Sequence, residues 1–174
     1  ITSSLNMQSL TARLKSKNAQ FVHISTAFVH GNLSGSSSYP LPEVLAPLGP
    51  FEPAEIYRSM LGTQFYATKA MSELRFHNSY TFSKCICEHL LLQQNDINTL
   101  VIRPSSVGPA VQSPFEGWAG EKPSTIVAGA CLHLSHQWNL WYLEPQPVPC
   151  IPVDVLSRCI LAKAFREAAD SSCD

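Results

Sequence analysis

The chain has 174 residues, 45% of them hydrophobic and 14% charged, enough apolar material for the core of one globular domain. A formal net charge of −1 argues against a nucleic-acid partner held on a basic face, and no uninterrupted apolar run approaches the ~20 residues of a membrane-spanning helix. The six cysteines form no Cys-x-x-Cys pair and read as reduced thiols in a cytosol-like compartment.

In chain order, residues 6–17 carry Met7, Leu10 and Leu14 at helical spacing, which predicts a helix with those three on its apolar face. The run from Phe21 to Ile24 ends in Ser25 and Thr26 and predicts a buried strand over 20–25 whose carboxyl end opens into a loop. Residues 32–53 turn to Ser, Gly and Pro and predict a long surface loop, either a lid or a tolerated insertion. Residues 54–77 read as partly helical, with Leu61, Phe65 and Met71 as apolar marks. A helix is predicted over 79–94, burying Ile86, Leu90 and Leu91, and a strand over 99–102. That strand leads into Arg103-Pro104-Ser105-Ser106-Val107. An apolar helix is expected over 124–135, and Asp154 is expected to cap a last helix through Phe165, with Val155, Ile160 and Leu161 inward.

Chemistry concentrates at Tyr80-Thr81-Phe82-Ser83-Lys84. On a helix, residues i and i+4 share a face, so a phenol and an ammonium lie together. The positive charge stabilises the phenolate, which makes the phenol a proton donor suited to carbonyl reduction: hydride reaches carbon while the phenol protonates oxygen. The hydroxyls of Ser25, Thr26, Ser105 and Ser106 stand at carboxyl ends of predicted strands, where open parallel sheets bind ligands. Other constellations are weaker. His133 and His136 lack a third ligand, so no metal site is expected. Cys85 and Cys87 are off the face of Lys84 and are not expected to act as nucleophiles.

The order strand with Ser-Thr, helix with Tyr-x-x-x-Lys, strand with Arg-Pro-Ser resembles the extended branch of the short-chain dehydrogenase/reductase superfamily. Glu88 after the helix motif, Pro114-Phe115-Glu116-Gly117-Trp118, and Ile151-Pro152-Val153-Asp154 narrow it. Together they resemble the fatty acyl-CoA reductases of the male sterility type, over about residues 6–165. The Pro-Phe-Glu-Gly-Trp segment is the most family-specific part.

The resemblance implies an α/β fold, a Rossmann-like doubly wound parallel sheet. Residues 1–110 would form its cofactor and catalytic part, and 111–174 a substrate-side segment and final helix. It implies NADPH as cofactor and a long-chain acyl-CoA as substrate. Tyr80 would be the general acid, and Lys84 would support it and hold the nicotinamide ribose. Ser25 and Thr26 compete for the hydroxyl that bonds the substrate carbonyl, and alignment of Ser-Thr-Ala with the family pattern favours Thr26. Ser25, Pro104, Ser105 and Ser106 would lie along the nicotinamide, and Phe115, Gly117 and Trp118 near the acyl group. The glycine-rich phosphate loop of such domains is not found in the sequence, so the chain reads as a fragment of one, with activity in isolation doubtful. An unpaired sheet edge would then favour dimerisation or other self-association. The resemblance places a full-length protein in the cytoplasm or on the cytosolic side of peroxisomes or endoplasmic reticulum. Rival readings are a nucleotide-sugar epimerase, a hydroxysteroid dehydrogenase, or a non-catalytic Rossmann remnant.

Overall fold

The computed structural model describes residues 1–14, 19–33, 42–121 and 149–170, with side chains to 165. The helix expected over 124–135, with Cys131, His133 and His136, lies outside the described residues, as does Cys173. The chain divides into two compact units, Ile1–Arg103 with Ala168–Asp174, and Pro104–Glu167.

The first unit holds helix α1 (Thr2–Ala12), strand β1 (Gln20–Ile24), a 3-10 turn (Ala27–His30), helices α2 (Pro53–Leu61), α3 (Phe65–Glu73) and α4 (Ser79–Leu92), and strand β2 (Asn98–Ile102). β1 and β2 pair in parallel, from Gln20 opposite Asn98 to Ile24 opposite Ile102. Parallel neighbours need a long crossover, and α2 to α4 lie on it. α1 and α4 pack on each other and on this strand pair. The alternation is that of an α/β, Rossmann-like domain.

α4 forms because Asn78 caps it, its Oδ1 accepting from the Thr81 N–H at 2.9 Å, and because Phe82, Ile86 and Leu91 recur on a buried face. These residues join Val29 and Ile56 among the buried side chains. Three features depart from the sequence reading. α1 runs over Thr2–Ala12, and Met7, Leu10 and Leu14 are exposed while Gln8 is fully buried. The reason is polar: Gln8 Nε2 donates to the Leu91 carbonyl and to Thr99 Oγ1, each at 2.8 Å, which docks α1 by hydrogen bonds. The expected surface loop is largely exposed in its described second half, but its Ala46, Leu48 and Phe51 side chains enter the core. Its carbonyls stay satisfied there: His89 Nε2 bonds the Ala46 oxygen at 2.8 Å and an Arg103 guanidinium N–H donates to Val44 oxygen at 3.0 Å. On α2 and α3 the buried residues are Pro53, Ile56, Ala67 and Ala70, whereas Leu61 and Phe65 face solvent.

The second unit holds strands β3 (Ser106–Gly108) and β4 (Cys150–Pro152), again parallel, and helix α5 (Val153–Asp170). A Cβ on Gly108 would come within 2.5 Å of Cys150 Sγ, so a larger residue there would have to displace that side chain. Leu156 is buried on α5 and Leu161 is exposed, the reverse of its expected inward place. Among the described residues no helix is long and apolar enough to cross a membrane.

Candidate active site

Four of the expected site residues, Ser25, Thr26, Tyr80 and Lys84, lie in the first unit, and a hydrogen bond brings Lys84 to the strand end that carries Ser25 and Thr26. Lys84 Nζ donates to the Ile24 carbonyl at 2.8 Å, at the carboxyl end of β1 and next to Ser25 and Thr26. α4 also packs against the 3-10 turn that follows them. The Ser25 N–H donates to Ile102 oxygen at 2.7 Å, which extends the β1–β2 ladder past the strand end. Its hydroxyl is buried and has no partner among the described residues. Thr26 is also buried, with extended backbone, and its Oγ1 accepts from the Phe28 N–H at 3.3 Å as the cap of the turn. One lone pair is thus used locally, and the O–H proton remains free to donate.

Tyr80 sits in the first turn of α4 with its ring 55% exposed, and its phenol makes no hydrogen bond among the described residues. It lines a cleft of about 440 Å³ together with Met60, Ala67, Thr68, Met71 and Phe82. Lys84 follows one turn later on the same face, half-buried. The two share a helical face, the phenol accessible and the ammonium bonded to the carboxyl end of β1.

Behind this face lie groups whose roles the sequence reading missed. Glu88, fully buried, accepts from Arg103 Nε at 3.0 Å on Oε1 and from a terminal nitrogen at 2.6 Å on Oε2. This bidentate pair bolts α4 to the end of β2. The Glu88 hydrogen bond raises the Arg103 pKa above its ordinary value, against the opposing effect of burial. His23 and His30 are buried, with Nε2 unpartnered among the described residues. Burial lowers the pKa of His23, and the Lys84 charge adds to this against Glu88. Burial likewise lowers that of His30, with Arg103 adding, against its bond to the Val44 backbone and the Glu88 charge. Burial also pushes the Cys85 thiol up to about 12, with Glu88 adding, so it stays protonated. Glu88 lies four residues after Lys84, a spacing that puts both on one helical face. Nothing in that spacing identified Arg103 as its partner.

The remaining expected residues lie in the second unit. Pro104 and Ser105 leave β2, and Ser106 opens β3 with its N–H donating to Pro149 oxygen at 3.2 Å. Phe115, Gly117 and Trp118 lie on a loop closed by Ala110 N–H to Trp118 oxygen at 2.8 Å and Gly117 N–H to Ala110 oxygen at 2.9 Å. Phe115 and Trp118 are exposed there. Gly117 has φ +82, which suits glycine.

Asp154, expected to cap the last helix, lies inside its first turn instead, because α5 begins at Val153. Its carboxylate accepts from the backbone N–H groups of Val111 at 3.1 Å, Gln112 at 3.1 Å and Ser113 at 3.2 Å, clamping the start of that loop. Burial alone would raise its pKa. The donors of Val111, Ser113, Gln112 and Val155 outweigh burial and hold the group below the ordinary carboxylate range. Among the described residues no His, Cys, Asp and Glu cluster could hold a metal ion.

Comparison with known proteins points the same way. A family model described as "Male sterility protein", an NAD-binding domain, matches residues 1–160. Fatty acyl-CoA reductase 2 of Mus musculus is 35% identical over 105 residues, covering 56% of this chain and 19% of its own length. The Bos taurus protein of the same name is 33% identical over 119 residues, covering 63% and 21%. Fatty acyl-CoA reductase 1 of Gallus gallus is 27% identical over 153 residues, covering 83% and 28%. The chain thus spans between 19% and 28% of the length of these relatives. No solved structure matches.

Proposed function

The chain belongs to the male sterility protein family, and from that premise we propose that it carries the catalytic face of an NADPH-dependent reductase acting on long-chain fatty acyl-CoA. One observation carries the reading. The Lys84–Ile24 hydrogen bond joins the Tyr-x-x-x-Lys helix to the strand end bearing Ser25 and Thr26. The residues present fit the ribose–nicotinamide end of a dinucleotide. The Ser25 hydroxyl is buried and unpartnered, and the Lys84 ammonium uses one of its three donors on Ile24. Choice of the phosphorylated cofactor, and assignment of Pro104, Ser105 and Ser106 to its nicotinamide side, rest on the family resemblance. So does assignment of Phe115, Gly117 and Trp118 to the substrate.

When bound, the reduced nicotinamide supplies hydride to the thioester carbon. Thr26 O–H donates a hydrogen bond to the carbonyl oxygen as charge gathers there. Tyr80 delivers its phenolic proton to that oxygen, and Lys84 stabilises the phenolate left behind. The hemithioacetal so formed breaks its C–S bond, releasing coenzyme A as the thiol and leaving an aldehyde. A second passage through the same residues, with a second equivalent of reduced cofactor and Tyr80 reprotonated, gives the alcohol. Among the described residues β1 and β2 pair only with each other, which supports self-association through an open sheet edge as part of this reading.

The test is NADPH consumption by the polypeptide carrying this chain, with palmitoyl-CoA, a nucleotide sugar and a hydroxysteroid offered separately. The expected result is consumption with palmitoyl-CoA alone, with one thiol released for every two NADPH consumed when reduction runs to the alcohol. Turnover of only the sugar or the steroid would transfer the site to another reductase class.

A further inference from the structure

Resting on the reductase reading, we propose that the cleft beside Tyr80 is the seat of the substrate's alkyl chain. It lies in the first unit between α2, α3 and the first turn of α4. Its volume of about 440 Å³ is in the range of small-molecule sites. Ala67 and Phe82 are buried in it, and Met60 and Met71 are half-buried and pack on the core. Ala67 keeps the space open, and the two thioethers give walls that adapt to an alkyl chain. No lining residue carries a charge. That composition disfavours a phosphate or sugar-phosphate occupant and favours a hydrocarbon whose head is polar and neutral. The second cleft of this unit is the contrast, being lined by Glu43 and Arg103.

The walls are set in advance. Ser59 carbonyl accepts from the N–H groups of Gly62 at 3.1 Å and Gln64 at 2.8 Å, and Ser59 Oγ accepts from the Ala67 N–H at 3.1 Å. These bonds fix the elbow between α2 and α3. Gln64, which lines the cleft, is held there at φ +61, a left-handed conformation rare for a residue other than glycine. A pre-formed wall spares a flexible chain part of its ordering cost. Tyr80 belongs both to this lining and to the proposed acid–base pair, so a chain lying in the cleft leaves its thioester at the phenol.

The inference predicts a chain-length ladder. Binding of saturated acyl-CoAs, measured by calorimetry on the polypeptide carrying this chain, tightens about fourfold per added methylene until the cleft is full, then levels off. Thr68→Trp places a large ring in the space from an exposed position on α3 and lowers the long-to-short affinity ratio by at least about tenfold, since two or more methylenes lose their seat. Met71→Ala widens the cleft and moves the plateau to longer chains. Circular dichroism confirms that each variant is folded. A length profile unchanged in both folded variants overturns the assignment of the cleft while leaving acyl-CoA binding intact. Failure of the unaltered protein to bind any acyl-CoA removes the reductase reading itself.

Discussion

Replacing Glu88 with leucine is expected to leave the Arg103 guanidinium without its counter-ion in a place where water reaches little of it. Glu88 is 1% exposed and Arg103 19%. Two charge-assisted hydrogen bonds, at 3.0 and 2.6 Å, are lost. The bond to Val44 oxygen remains, but it offers a dipole in place of a charge. Removing one partner of such a pair costs about 3–5 kcal/mol, against a total stability of about 5–15 kcal/mol. At about 2–4 °C per kcal/mol for a chain of this size, the melting temperature falls by about 6–20 °C. The double variant Glu88→Leu/Arg103→Met has no buried charge to strand. Its remaining cost is the Val44 carbonyl left to solvent and the Ala46 to Phe51 segment held less firmly, about 1–2 kcal/mol. Denaturant unfolding of the two single variants and the double one completes the cycle. A double variant as destabilised as the sum of the singles would refute the view that the pair acts as one bolt.

Gln8→Leu is expected to cost about 1 kcal/mol, because the lost bonds to Leu91 oxygen and Thr99 are partly offset by removing the buried, unpartnered Gln8 Oε1. Chemical denaturation measures it, and an unchanged midpoint would contradict docking of α1 by this side chain. Asp154 binds its proton more weakly in the folded chain than in the unfolded one, so its contribution to stability is present above the ordinary carboxylate pKa and is lost as pH falls through the lower, folded value. Asp154→Asn is expected to flatten that acid limb and to speed hydrogen exchange at Val111, Gln112 and Ser113; a limb of unaltered steepness would rule the clamp out. Iodoacetamide at mildly alkaline pH is expected to label the exposed Cys150 and Cys159 and to spare Cys85, whose thiol burial pushes up to about 12. Peptide mass spectrometry showing early Cys85 labelling would contradict its burial.

α4 and the two strands of the first sheet were legible in the sequence because local signals agree there. Short, mostly apolar runs mark Phe21–Ile24 and 99–102, and Ile86 and Leu91 recur at helical spacing. The Tyr80–Lys84 pair follows from helix geometry alone. The misses share a cause. Gln8 is buried for partners 83 and 91 residues away, which no periodicity in α1 can reveal. Ala46, Leu48 and Phe51 lie among prolines that signal a loop, and the Arg103 and His89 side chains that bond the carbonyls of this segment come from distant elements. Leu161 looked like a core residue by hydropathy, but burial on α5 falls on Asp154 and Leu156. Asp154 has the signature of a helix cap, and its three loop partners become visible only once 111–113 folds back to it.

The central claim is that Tyr80, supported by Lys84 at the end of β1, protonates the oxygen of a carbonyl receiving hydride. Its most direct test compares Tyr80→Phe with the unaltered polypeptide carrying this chain in single-turnover reduction of palmitoyl-CoA by NADPH, with cofactor and substrate affinities measured in parallel. Loss of a general acid predicts a fall of about 10²–10⁴-fold in the chemical step with both affinities retained. A Tyr80→Phe protein that binds both and reduces the thioester at the unaltered rate would contradict the account.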